Sequence, residues 1–220
     1  SFPYTFEPRV GVSYQKITPD PQAGTQPMEW LQPSSYVTVF GSPSTSASVL
    51  PEGGGAIVCD GASDYLRYPT ATGPGIEPCS IETVVNIAAV PGVGVEPAVW
   101  GCSDFGMTYQ DDGRVHVYYD GADILDVAVS TGATAHLVLT RTGASPDVVT
   151  LYVNGAASSA TPAQASLVIT PLYAGKHWTN ADYLSATYYF ISVYADAVSS
   201  GDVADNYAAL SWTDVTQDTI

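Results

Sequence analysis

The chain has 220 residues, 45% of them hydrophobic, and a mean hydropathy of +0.09, so it can bury the core of one ordinary domain plus an appendage and is not a disordered chain. Only six Lys and Arg stand against 22 Asp and Glu, a formal charge of −16. So few cations cannot displace counterions from phosphates, which excludes nucleic acid as a partner and disfavours docking on an anionic membrane. No apolar run approaches the ~20 residues that cross a bilayer, so membrane insertion is not expected.

Residues 1–53 differ in texture from the rest. Pro3, Pro8, Pro19, Pro21, Pro27, Pro33, Pro43 and Pro51 punctuate them, and proline removes ladder donors and breaks helices. Only residues 35–40, Ser-Tyr-Val-Thr-Val-Phe, read as a strand, with β-branched and aromatic residues throughout. Residues 1–34 read as an extended arm that lies on its own domain, on a neighbouring copy or on a larger assembly. The rings of Phe2, Tyr4, Phe6, Tyr14 and Trp30 argue against a free linker. The N-terminus shows neither the basic start nor the apolar stretch of a signal peptide. Ser1 in place of Met points to an upstream piece removed by maturation or by design.

After the hinge Gly53-Gly-Gly55 the pattern is all-β, and residues 54–212 form the domain. Strands are predicted near 56–60, 81–88, 114–119, 135–141, 148–153, 167–170 and 187–194. Within them, Val115, Val117 and Tyr119 share one face, with His116 and Tyr118 on the other; Val149, Leu151 and Val153 likewise oppose Thr150 and Tyr152. The turn signals Asp60-Gly61, Asp112-Gly113, Asp120-Gly121, Thr142-Gly143 and Asn154-Gly155 separate the runs. Many short strands at such spacing imply a sandwich, jelly roll or barrel. One helix is predicted near 200–210: Ser199-Ser-Gly-Asp202 is a capping box, and Val203, Tyr207 and Leu210 follow on one apolar face. Residues 213–220 are a C-terminal tail.

The three cysteines, Cys59, Cys79 and Cys102, contain no CxxC pair, which disfavours structural zinc. Cys59, in a strand-like run, is expected as a small buried hydrophobe; one disulfide with one free thiol stays open. No Asn-x-Ser/Thr sequon occurs.

Several of these runs carry a resemblance. Asp60-Gly-Ala-Ser-Asp-Tyr65 is followed by His136-Leu-Val-Leu-Thr140, by Leu151-Tyr-Val-Asn-Gly155, and by a late strand leading to Val203 through Tyr207. In this order the chain, over about residues 54–212, resembles the laminin G-like branch of the concanavalin A-like lectin/glucanase superfamily. It departs from the family at Cys59, where Phe is usual, and at Ala135, where Trp is. The resemblance implies an all-β, two-sheet antiparallel jelly-roll sandwich with one short C-terminal helix, preceded by the extended arm.

Glucanases of that superfamily carry Glu-x-Asp-x-x-Glu on one strand, which sets two carboxylates on one face for retaining hydrolysis. Of the glutamates here only Glu82 lies in a predicted strand, and Val84 and Ile87 occupy the matching offsets. A non-catalytic protein is therefore expected. His136 falls where the family has a structural histidine and is read as a packed, hydrogen-bonded ring. Calcium is the cofactor the resemblance implies, held in rim loops by carboxylates. The candidate ligands are Asp60 with Asp64, Asp111 with Asp112, and Asp120 with Asp123, though turn formation accounts for the same positions.

For a glycan ligand the candidate platform is Trp178, Tyr183, Trp100 and Tyr109, with Tyr118, whose rings can stack on sugars. Lys176, His177, Asn180 and Asp182 are the polar partners, and the loop 176–184 is the best single candidate. The sequence thus reads as an adhesion or recognition module for a glycan or surface polysaccharide, exposed outside a cell or on a virion. The rival is a structural assembly protein that docks on a protein partner, or self-assembles, through residues 1–34. A polysaccharide-degrading enzyme ranks third.

Overall fold

The computed structural model of the protein describes residues 38–47, 55–68, 78–168, 171–194 and 196–210. In chain order the strands are β1 (Thr38–Phe40), β2 (Ser44–Ala47), β3 (Gly55–Asp60), β4 (Tyr65–Tyr68), β5 (Cys79–Ile87), β6 (Ala98–Gly101) and β7 (Phe105–Tyr109). They continue as β8 (Arg114–Tyr119), β9 (Ala122–Ala128), β10 (Thr134–Arg141), β11 (Val149–Val153), β12 (Ala156–Ala160), β13 (Leu172–Ala174) and β14 (Ser185–Tyr194), with helix α1 (Ser200–Leu210) last.

Two seven-stranded sheets result, and every pairing in them is antiparallel. The first runs β1-β4-β13-β6-β7-β8-β9 and the second β12-β11-β10-β5-β14-β3-β2. The two-sheet antiparallel sandwich with one short C-terminal helix is therefore the architecture of this chain.

Alternation decides which side chains meet between the sheets. Phe105, Met107 and Tyr109 of β7 and Val115, Val117 and Tyr119 of β8 face Ile81, Val85 and Ile87 of β5 and Leu137, Leu139 and Leu151 of β10 and β11 in one buried cluster. Buried tyrosines there keep their hydroxyls bonded, as burial demands. Tyr109 donates to the Val129 carbonyl at 2.9 Å, Tyr188 to the Val99 carbonyl at 2.9 Å, and Tyr119 to Asp147 at 3.0 Å. Asp147 also holds the fully buried Arg141 at 2.7 Å and accepts the Thr142 and Gly143 amides, tying the 142–147 loop to the end of β10.

The Asn154-Gly155 signal is a two-residue hairpin turn. Both residues have positive φ (51° and 80°), the combination that joins two right-twisted strands most tightly. Asn154 further accepts the His136 amide at 2.9 Å, and a side chain on Gly155 would press on the Tyr207 ring at 3.2 Å.

Helix α1 lies on the outer face of the second sheet. Ser199 caps it, accepting the Asp202 amide at 3.2 Å and donating to the Asp202 carboxylate at 2.8 Å. Val203 packs on Val138, Tyr194 and Val198, and Leu210 on Val84.

Two expectations need adjustment, and the open question of a disulfide is answered. Residues 38–47, assigned to the arm 1–53, are edge strands: β1 pairs with β4 and β2 with β3, so the sandwich includes them despite Pro43. Of the run predicted near 167–170, Leu167 forms an isolated bridge and 169–170 lie outside the described residues; the strand that follows is β13, Leu172–Ala174. Cys59, Cys79 and Cys102 are all free thiols, each buried, so the disulfide does not form. Burial pushes the thiols up, Cys59 to about 12 and Cys102 to about 11, which leaves them inert hydrophobes as expected of Cys59. The arm 1–34 and the tail 213–220 lie outside the described residues.

Candidate functional site

The outer face of the first sheet gathers its half-buried rings at one end. In β4, Tyr65 and Arg67 alternate with the buried Leu66; in β13, Tyr173 alternates with the buried Leu172 and Ala174. The register sets Phe40 opposite Tyr65 and Tyr173 opposite Arg67, so all four side chains project to the same side. Phe40 stacks on Tyr65 with ring centres 4.5 Å apart.

The loop after β13 folds back over this cluster. A bridge between Lys176 and Tyr183 and the bond from the His177 amide to the Asp182 carbonyl (2.9 Å) make it a hairpin rooted on the Gly175–Leu184 pair. Tyr183 thereby comes within 6.3 Å of Tyr65, centre to centre. The Lys176 ammonium lies 5.6 Å from Tyr65, 5.6 Å from Tyr173 and 6.0 Å from Tyr183, inside an aromatic cage. Burial lowers its pKa, against the pull of Asp182. Desolvation, with Tyr173 and Tyr183 beside it, raises the Tyr65 phenol, which stays a neutral donor.

At the loop tip, His177 Nδ1 accepts the Thr179 and Asn180 amides at 3.2 and 3.3 Å. Its proton therefore sits on Nε2 in the neutral ring. Partial burial holds its pKa below the ordinary 6.5, opposed by Asp182 and assisted by Lys176. The ring stacks on Trp178 at 4.2 Å, and Trp178 leans on Tyr118 of β8 at 5.2 Å. Rings thus extend from Phe40 to Tyr118 across the sheet. Between them Gly101 and Gly106 approach so closely that a Cβ on either would sit about 2.5 Å from the other's Cα, and that strip carries no side chains.

Of the predicted platform, Lys176, His177, Trp178, Asn180, Asp182 and Tyr183 do share one loop, and Tyr118 joins them. Trp100 and Tyr109 do not: both are fully buried between the sheets, where no ligand can stack on them. Phe40, Tyr65, Arg67 and Tyr173 belong to the face and went unread in the sequence. The alternation of Tyr65 and Arg67 around Leu66 was the available signal.

The aspartates proposed for calcium are engaged in turns. Asp60 accepts the Ala62, Ser63 and Asp64 amides at 2.8–3.1 Å, which lowers its pKa to about 2. Asp64 accepts the Ser42 and Asp60 amides. Asp111 accepts the Gly94 amide and Asp112 the Arg114 amide. Asp120, at φ 46°, shapes the β8–β9 turn; Asp123 accepts from Gln110 and lies 3.5 Å from His116 Nδ1, whose Nε2 is 3.1 Å from Asp112. Among the described residues no three such groups are placed to hold one metal ion.

On the opposite face, Glu82 of β5 is fully buried under α1. His136 Nε2 (2.6 Å), the Tyr194 hydroxyl (2.7 Å) and the Asn206 amide (3.1 Å) converge on it. His136 is the packed, hydrogen-bonded ring expected, stacked parallel to Tyr207 with centres 6.2 Å apart.

No family model matches the sequence, and no curated protein does. Solved structures of similar fold include Trypanosoma rangeli sialidase in complex with sialic acid, 14% identical with a TM-score of 0.58 over 72% of this chain and 28% of that one. Domain 4 of AbnA, a GH43 extracellular arabinanase from Geobacillus stearothermophilus, in complex with arabinotriose, is 16% identical. Its TM-score is 0.56 over 77% of this chain and 86% of that one. HCR/D-Sa-GBL1/C is 8% identical with a TM-score of 0.61 over 80% of this chain and 47% of that one. The chain spans less than a third of the sialidase's length. At such identities the likeness carries the β-sandwich fold alone.

Proposed function

We propose that this protein is a non-catalytic, laminin G-like recognition module that binds a glycan on the outer face of its first sheet, at a cell or virion surface. The observation that carries this is the run of half-buried rings from Phe40 through Tyr65, Tyr173 and Tyr183 to Trp178 and Tyr118, with the loop 176–184 folded over it. Rings offer apolar faces to sugar C–H groups, while His177 Nε2–H, Asn180 and Asp182 supply hydrogen bonds for hydroxyls. The arabinotriose held by domain 4 of AbnA is a precedent for a sugar on this fold.

One observation supports binding over turnover: Glu82, the glutamate of β5, is committed to three donors beneath α1, away from the aromatic face.

A glycan array followed by titration calorimetry tests the reading. Tyr183→Ala and Trp178→Ala should each weaken binding about tenfold, the loss of roughly 1.4 kcal/mol of stacking, with the melting temperature nearly unchanged. Retention of no glycan, or full binding by both variants, would overturn the site; release of new reducing ends or unsaturated sugars would overturn the non-catalytic reading.

A further inference from the structure

Resting on the glycan-binding reading above, the geometry points to a carboxylate-bearing sugar as the ligand, its acid group received by Arg67 and Lys176 beside Tyr173. The argument begins with scarcity. The chain has six Lys and Arg among 22 acidic residues, so an ordinary surface cation has carboxylates all around it. Arg114 pairs with Asp126 and the buried Arg141 with Asp147. Arg67 and Lys176 make no ion pair with any described residue. They nonetheless lie against one ring: the Arg67 guanidinium is 5.9 Å and the Lys176 ammonium 5.6 Å from the same Tyr173 ring centre.

Their donors are also under-used. Arg67 Nε is buried without a hydrogen-bond partner, and of the three N–H groups on Lys176 the His177 carbonyl takes one, at 2.9 Å. Two cations that no described carboxylate pairs, against tyrosine faces, form a receptor for an anion: the planar guanidinium grips a carboxylate in two bonds, the ammonium neutralises it, and the rings flank the attached sugar.

The overall −16 charge opposes an acidic ligand at long range, but screening at physiological salt limits that repulsion to about 8 Å. Within that radius the balance is local. Asp182 is the carboxylate that Lys176 feels, and its Oδ2 faces the Glu96 amide at 3.4 Å.

The test measures binding of the whole protein to polygalacturonate, alginate, hyaluronan and polysialic acid. Each is paired with its carboxyl-reduced form, and dextran sulfate is the sulfate-only probe. Tight binding to at least one carboxylated polymer, weakened tenfold or more by carboxyl reduction and by Arg67→Gln or Lys176→Gln at unchanged melting temperature, is expected. Equal binding to native and reduced polymers would overturn the acidic-sugar assignment and leave glycan binding standing. So would binding of dextran sulfate alone, or full affinity in the Arg67→Gln, Lys176→Gln double variant. Binding of no polymer in either form, together with an empty neutral-glycan array, would remove both readings.

Discussion

On the outer face of the second sheet, Glu82 receives three buried donors and α1 closes over it, while on the outer face of the first sheet Arg67 and Lys176 lie against tyrosine rings, with no carboxylate of the described residues paired to either. The residue types are alike: tyrosine, histidine and one or two ionisable groups projecting from alternate strand positions. What differs is enclosure. Beneath α1 even a bond left unmade, as at His136 Nδ1 and Asn206 Oδ1, has no route to a ligand, whereas a group on a half-open face keeps its capacity for a partner from outside. Histidine shows this most directly. His136 gives Nε2 to Glu82 in the buried network, but His177 uses Nδ1 on its own loop and presents Nε2–H at the half-open face.

The contrast breaks most visibly through Glu82. Glu82→Ala strips the shared acceptor from His136, Tyr194 and Asn206 at once, and cutting one member from a buried charged network costs about 3–5 kcal/mol. For a domain of this size that lowers the melting temperature by roughly 6–20 °C. A loss below about 1 kcal/mol in chemical denaturation would show that the network is replaceable and the helix-covered face is not the structural one.

Helix docking comes next. Val203 is fully buried between α1 and the sheet, against Val138 and Tyr194, so Val203→Ala should cost about 1–3 kcal/mol in transfer and cavity terms. Ser199→Ala, which removes the cap of α1 at an exposed position, should cost about 1 kcal/mol. Equal effects of the two in urea titrations would mean that α1 is held by its cap rather than by its face.

Local features were legible where chemistry is local. Asn154-Gly155, the Ser199 capping box and the alternation of Val115, Val117 and Tyr119 each dictate their own geometry, and the structure has all three. The sheet edges were less legible. Residues 35–40 read as a strand, and β1 lies within them, but Pro43 and a short polar run masked β2, which gains strand geometry only from β3. Trp100 and Tyr109 were misplaced because a ring's type does not tell which side of a sheet it takes, and both face the core. The site was half readable for a related reason. The loop 176–184 is contiguous, whereas Arg67 meets Tyr173 only through the pairing of β4 with β13, about a hundred residues apart in sequence and set by the whole topology.

The smallest expected effect on stability is the one that most sharpens the comparison. Tyr183 is half-buried, and its ring contacts Tyr65 and the Lys176 ammonium rather than the core. Exposed cation–π contacts contribute about 0.5–1 kcal/mol, and surface substitutions away from buried features fall within about 0.5 kcal/mol. Tyr183→Ala should therefore move the melting temperature by no more than about 1–3 °C, a fraction of the Glu82→Ala effect, because the hairpin keeps its bond between the His177 amide and the Asp182 carbonyl. Differential scanning calorimetry of the two variants side by side measures the asymmetry directly. If Tyr183→Ala proved as costly as Glu82→Ala, the rings of the first sheet would be holding the fold together, and the face would be a second core rather than a surface kept for a ligand.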